Sequence, residues 1–219
     1  MIYREYLKRT LDALFGILSI VVLSPVFLII ACAIKINSNG PVLFTQKRAG
    51  KNGKEFDIVK FRTMLIFEES YNEDGTEMDN YERITKVGHF LRKASLDELP
   101  QLFNIVKGDM SIVGPRPTLP YQIEKYNAYQ MQRLTVRPGL TGLAQVSGRN
   151  TLTWEKKIEL DVDYVKTISF VRDVFIVLKT FFVVFDTRQV GFTSPDEISK
   201  HKGDLFTDVG HGKESSSNG

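Results

Sequence analysis

Polar and apolar residues divide this chain into segments of different period. From Ala13 to Ile34 run 22 residues without a charge. As a straight helix they would reach about 33 Å, enough for a hydrocarbon core of roughly 30 Å. Ser24-Pro25 falls in the middle of the run. Proline lacks the N–H that a helix interior needs, so a sharp break is expected there. Segments 41–48 and 55–62 then alternate as strands, with Asn52-Gly53 as the turn of a β-hairpin. In the stretch from Lys93 to Pro117, apolar residues recur at Leu96, Leu99, Leu102, Phe103 and Val106, a helical period. Ser95 and Glu98 have capping-box spacing for its start, and Gly108 is a natural stop. Tyr121 to Leu134 reads as a polar helix, and Trp154 to Lys166 as a helix with Asp161 and Tyr164 on one face. Ser169 to Phe185 is apolar but carries Arg172, Asp173 and Lys179. Each charge is costly at a bilayer centre, so this segment is expected against the core or at an interface.

The expected fold is α+β and mostly helical. Residues 1–36 hold a membrane helix, 37–193 a small globular domain with the hairpin, and 194–219 a flexible polar tail. Glu68 to Glu82 carries seven acids without calcium-loop spacing and reads as an exposed loop.

The uncharged run is long for a secretory signal, and Ile30 is bulky for a lipoprotein site at Cys32. A simple span competes with a re-entrant hairpin. Arg4, Lys8 and Arg9 precede the run, and Lys35, Lys47 and Arg48 follow it. Basic flanks at both ends are best satisfied if both lie on one side, which favours the hairpin.

At 219 residues the chain suffices for one domain with a real core. A net charge of +3 is too weak to argue for nucleic acid, although a basic patch can still meet anionic lipid. The single cysteine, Cys32, excludes an internal disulfide and fits a reducing compartment as a small buried thiol.

The candidate chemistry centres on Asp97 and Glu98. Adjacent helical residues do not face one another, so these acids are poorly placed to share a proton and suit different tasks. In Gly114-Pro115-Arg116-Pro117 a proline on each side restricts Arg116, and a guanidinium held that way suits bidentate phosphate capture. Lys60 and Arg62 share a strand face that can meet a phosphate or simply be solvated. Residues 137–142 form a run of turns that either cradles an anion or merely connects. By itself Ser95–Glu98 is equally well an ordinary helix cap.

The runs Asp97-Glu98-Leu99-Pro100, Gly108-Asp109-Met110-Ser111 and Gly114-Pro115-Arg116-Pro117 together resemble the signature of the monotopic phosphoglycosyl transferases, the bacterial sugar transferases. Lys60-Phe61-Arg62-Thr63-Met64, the segment from Arg137 to Arg149, and Asp161 with Tyr164 extend the resemblance over about residues 1–190. It implies a helix broken at Ser24-Pro25 that dips into one leaflet of a bacterial inner membrane, with the catalytic domain on the cytoplasmic face. It implies that sugar 1-phosphate moves from a nucleoside diphosphate sugar, with uridine as the expected nucleoside, to polyprenyl phosphate. Asp97 is then the nucleophile of a covalent phosphosugar intermediate. Glu98 would bind Mg²⁺, with Asp97 as a second possible ligand, or assist the lipid phosphate. Lys60, Arg62, Arg116, Arg137, Gln145, Arg149, Asp161, Tyr164 and Asp173 would bind substrate. A silent membrane scaffold and a nucleotide-sugar hydrolase are the rival classes. Neither the sugar, the pathway nor the oligomeric state is legible.

Overall fold

The computed structural model describes residues 3–72, 74–148 and 151–185; Arg149 and the expected tail lie outside them. The uncharged run forms one helix, α1 (Lys8–Asn37), entered through a π-helical turn at Tyr3–Leu7. Contrary to the expected break, helical structure continues through Ser24-Pro25. Pro25 cannot donate to the Val21 carbonyl four residues back. The Ser24 hydroxyl donates to that carbonyl instead, at 2.8 Å, so the oxygen is not orphaned in an apolar stretch.

One face of α1 packs on the rest of the protein along its length. Ile20, Leu23 and Phe27 meet a core of Phe56, Ile58, Leu102, Ile105 and Met110. Ile30 and Ile34 are buried with Phe61 and Leu91. Each isoleucine removed from water contributes about 1.5–3 kcal/mol. The Phe27 ring lies 5.5 Å from that of Phe61 and 5.8 Å from that of Phe103. The opposite face leaves Leu14, Ile17, Leu18, Val21, Leu28 and Ile29 exposed. Cys32 is exposed too, not the buried thiol its apolar surroundings suggest.

The hairpin forms as its sequence predicts. Strands β1 (Leu43–Ala49) and β2 (Glu55–Phe61) pair antiparallel, with Leu43 opposite Phe61 and Ala49 opposite Glu55. Asn52 and Gly53 both take positive φ, which those residue types tolerate best. Exposed Glu68, Asp74, Glu77, Asp79 and Glu82 follow in the acidic loop. Helix α2 (Lys86–Lys93) starts at Thr85, whose hydroxyl accepts from the Gly88 N–H at 2.9 Å.

The central helix, α3 (Gln101–Lys107), is shorter than its apolar period suggests. Ser95 sits in the left-handed region at φ 55° and makes no cap bond, and Leu96–Glu98 form a 3-10 turn ahead of Pro100. A capping box needs an extended residue at that position, so the Ser95–Glu98 spacing is not one. Gly108 ends the helix at φ 100° as expected. Asn104 ties α3 to β2: its side-chain oxygen accepts from Val59 N (3.0 Å) and its amide donates to Asp57 O (2.8 Å).

Strand β3 (Ser111–Val113) leads into the Gly114–Pro117 loop. The expected polar helix is instead two short ones, α4 (Pro120–Ile123) and α5 (Ala128–Met131). Asn127 and Gln130 form a reciprocal capping box that restarts the chain at α5. Strand β4 (Gly139–Thr141) pairs parallel with β3. A Cβ on Gly139 would stand 2.1 Å from Gly114 N, so only glycine permits this approach. Helix α6 (Leu143–Ser147), α7 (Trp154–Lys166) and α8 (Phe170–Phe185) complete the described fold. Val113, Val146, Tyr164, Val165 and Ile176 form their common core.

Candidate active site

Asp97 and Glu98 lie on the 3-10 turn between α2 and α3, and the two side chains have opposite surroundings. A single Glu98 oxygen, Oε1, accepts from Lys60 Nζ at 2.8 Å and Arg116 Nη2 at 2.9 Å. Burial alone would raise the Glu98 carboxyl, but Arg116 and Lys60 outweigh it and hold the group down at about 2. Asp97 makes no side-chain hydrogen bond or ion pair among the described residues. Burial and the neighbouring Glu98 charge push its carboxyl up, against Lys60, Arg92 and Arg116. The result is one carboxylate pinned by cations and one left open in their field. An open carboxylate oxygen there can attack phosphorus, or bind a hard cation together with phosphate oxygens.

Several elements hold this geometry. Lys60 projects from β2, which Asn104 fastens to α3. Arg116 sits on the loop after β3. That loop is tied to β4 by Gly114 N to Thr141 O (2.9 Å) and Gly139 N to Pro115 O (2.9 Å). Asp161, on α7, is 1% exposed and meets Arg133 Nη2 at 2.5 Å. The same Arg133 donates to the Arg116 carbonyl at 2.9 Å and to the Tyr126 hydroxyl at 2.6 Å. Asp161 thus acts on the Arg116 loop through Arg133. Burial raises the Asp161 carboxyl, with Arg133 and Arg116 opposing.

The other predicted residues are placed elsewhere. Arg62 follows the last residue of β2 and turns into the linker after α1, donating to the carbonyls of Ser38, Asn39 and Pro41. It does not share a phosphate-facing surface with Lys60. Arg137 donates from Nε to Gly108 O at 2.9 Å. Tyr164 and Asp173 are buried in a separate cluster: the Tyr164 hydroxyl donates to Asp173 Oδ1 at 2.6 Å, with Val113 O at 3.1 Å. Lys8 Nζ and the Tyr3 hydroxyl reach Asp173 Oδ2 at 2.5 Å and 2.6 Å. Nearby, Asp12 accepts from Ser111 Oγ (2.6 Å) and Ile112 N (3.2 Å), so α1 is bonded to the first two residues of β3. The Gln145 amide is buried beside Gly142 and makes no hydrogen bond among the described residues.

Two residues of the site escape the sequence patterns. Arg92, on α2, donates to Thr63 Oγ1 at 2.9 Å and lies in the electrostatic reach of Asp97. Its only signal was a basic last helical turn, which also serves the helix dipole. Arg133, in a polar stretch between short helices, gave none.

For Mg²⁺, the described residues contain no cluster of three or more acidic, histidine or cysteine ligands. Mg²⁺ is commonly held by only one or two carboxylates plus substrate phosphates and water. The open Asp97 carboxylate and Glu98 Oε2, which makes no hydrogen bond among the described residues, fit that smaller requirement.

An apolar N-terminal helix docked on a small domain with this acidic and cationic site defines the class. The family description "Bacterial sugar transferase" matches residues 3–187, and the chain belongs to that family. It is 43% identical over 174 residues to the uncharacterized sugar transferase EpsL of Bacillus subtilis, covering 80% of this chain and 85% of EpsL. It is 41% identical over 187 residues to the exopolysaccharide production protein ExoY of Rhizobium meliloti, covering 79% of this chain and 83% of ExoY. It is 43% identical over 188 residues to the UDP-glucose:undecaprenyl-phosphate glucose-1-phosphate transferase of Klebsiella pneumoniae, covering 81% of this chain. There, and in an uncharacterized sugar transferase of Haemophilus influenzae, the match spans only 40% and 41% of the relative's own length.

Proposed function

We propose that this protein transfers a sugar 1-phosphate from a nucleoside diphosphate sugar, a UDP-sugar by preference, to polyprenyl phosphate. One observation carries the reading: Asp97 is unpaired while Glu98 beside it is neutralised by Lys60 and Arg116. The Klebsiella relative's name describes this reaction, with UDP-glucose as donor and undecaprenyl phosphate as acceptor.

In the first step an Asp97 carboxylate oxygen attacks the sugar-bearing phosphorus. A P–O bond forms, the bond to the bridging oxygen breaks, and nucleoside monophosphate leaves with that oxygen. In the second step an oxygen of polyprenyl phosphate attacks the same phosphorus and the acyl phosphate bond breaks. Asp97 is regenerated, and the product is a polyprenyl diphosphate sugar. Splitting the transfer this way is ordinary covalent catalysis. Lys60, Arg92 and Arg116 offset the repulsion between anions, the main electrostatic obstacle in phosphoryl transfer. Asp97 and Glu98 would hold Mg²⁺, which would add positive charge at the phosphate oxygens.

The geometry of α1 supports the membrane arrangement in this reading. As a straight helix its 30 residues would measure about 45 Å. Near one end Arg9 donates to Ile105 O and Val106 O, and near the other Ile34 packs on Phe61 and Leu91. Both ends meet the same domain, and both carry basic residues. This favours both ends on the cytoplasmic face of a bacterial inner membrane over a span, with the re-entrant turn made by a bend at Pro25 within the continuous helix rather than by a break there.

The test is UMP release from a panel of UDP-sugars, with and without polyprenyl phosphate, alongside intact mass of protein mixed with donor alone. Expected are acceptor-dependent turnover and a sugar-phosphate adduct lost in Asp97→Asn. Undiminished UMP release by Asp97→Asn would refute the assignment.

A further inference from the structure

Helix α3 and strand β3 are two legs that carry the site. Asp97 and Glu98 stand just ahead of α3, Arg116 stands three residues beyond Val113 at the end of β3, and residues 108–110 join the legs at their other end. At the far end the legs meet where Glu98 Oε1 accepts from Arg116 Nη2 at 2.9 Å. At the near end they meet on a single turn of α1. Arg9 donates from Nη1 to Ile105 O and from Nη2 to Val106 O, both at 2.7 Å, and so holds carbonyls in the last turn of α3. Three residues on, Asp12 holds the start of β3, accepting from Ser111 Oγ at 2.6 Å and Ile112 N at 3.2 Å. The Arg9 guanidinium also lies against the bend between the legs: a Cβ on Gly108 would stand 3.1 Å from its Nη2.

Seating α1 on the domain does not require this arrangement. The bond of Lys8 to Asp173 and the apolar contacts from Ile20 to Ile34 already do that. Asp12 is 4% exposed, and burying a carboxylate is costly unless its oxygens are bonded. Both of its oxygens are, and both bonds go to β3. The far end is held differently. There the Arg116 side chain is 54% exposed, and an exposed ion pair resists separation only weakly. A phosphate that draws Arg116 off Glu98 opens that end, and the near end then keeps the two legs in register.

Resting on the transferase reading, we propose that Asp12 is a positioning residue for the transfer: together with Arg9 it clamps the near ends of α3 and β3, and so fixes Arg116 relative to Asp97 when the donor phosphate displaces Glu98. Asp12 touches no substrate and acts through Arg116.

A double-mutant cycle tests this in detergent-solubilised full-length protein, read by the single-turnover rate of UMP release and Asp97 adduct formation. Asp12→Ala should slow that rate by about tenfold to a hundredfold, the scale of a small misplacement of reacting groups. In an Arg116→Gln background the same change should cost less than about threefold, because the group that Asp12 positions is gone. Where turnover in that background is too slow to follow, UMP affinity reads the same cycle. An equal cost in both backgrounds is what lowered stability alone would give, and it would overturn the proposal. Ser111→Ala, which removes one of the two bonds, carries the cycle if Asp12→Ala does not fold. Independently of turnover, amide exchange at residues 111–116 should quicken in Asp12→Ala while Val59, bonded to Asn104, keeps its protection. Unchanged exchange at 111–116 would refute the clamp. Quickened exchange in a protein whose parent forms no Asp97 adduct would refute the transferase reading and leave the clamp standing.

Discussion

Glu98 gathers Lys60 and Arg116 onto one carboxylate oxygen, at 2.8 Å and 2.9 Å, while Asp97, the residue before it, bonds to neither. Two acids adjacent in the chain thus stand in opposite electrostatic surroundings. The pinned one fixes where the cations stand, and the open one faces whatever they attract.

Asp97→Asn should therefore remove activity without loss of stability. Burial and Glu98 raise the Asp97 carboxyl in the folded state, so its ionisation at neutral pH opposes folding. The variant should unfold at the same temperature as the parent or slightly higher at pH 7, while forming no sugar-phosphate adduct. A large fall in the thermal midpoint would contradict the open environment of this carboxylate.

Glu98 should behave in the opposite way. Its folded-state value of about 2 lies below the ordinary 4.5, so its contribution is fully present above the unfolded value and is lost as pH falls from about 4.5 towards 2. The shift corresponds to an order of 3 kcal/mol. In Glu98→Gln that acid-dependent component should vanish from the pH profile of unfolding. Lys60 and Arg116, then without their partner, should raise the donor KM.

Asp161→Asn should destabilise more than an exposed change would. It leaves Arg133 buried without a counter-charge, at a cost of about 3–5 kcal/mol. Because Arg133 also holds the Arg116 carbonyl, weaker donor binding should accompany the lowered thermal midpoint. Replacing Arg133 and Asp161 together by apolar residues of similar volume should recover stability but not affinity.

The membrane arrangement is open to labelling. In a Cys32→Ser background, Tyr6→Cys and Ile36→Cys place thiols at exposed positions flanking the apolar run. A membrane-impermeant maleimide should modify both from the same side of sealed vesicles. Modification from opposite sides would establish a span. In the parent, exposed Cys32 should be protected by the bilayer and react in detergent.

What the sequence made legible was local. The hairpin was readable because Asn52-Gly53 names a turn, α7 because its period is regular, and Gly108 because a helix end needs positive φ there. The start of α3 was misread because Ser-x-x-Glu is a cap only if the serine is extended, and Ser95 is left-handed. Strands β3 and β4 are three residues each and pair across the segment between Val113 and Gly139, leaving no periodic trace. Arg62 looked like a neighbour of Lys60 because alternation was assumed to persist past Phe61, where β2 ends. Arg92 and Arg133 have roles set entirely by partners distant in the chain. The acid pair was visible; the unequal environment of its two members was not.

The buried contacts made by Tyr3, Lys8 and Asp12 bear on how this protein can be handled. Cutting away residues 1–36 to obtain a water-soluble fragment would strip Asp173 of its lysine and Ser111 of its aspartate, and would bare the apolar surface around Phe61 and Ile105. The N-terminal helix and the acidic and cationic site are packed as one unit, so an intact N-terminus is a condition for keeping the site folded.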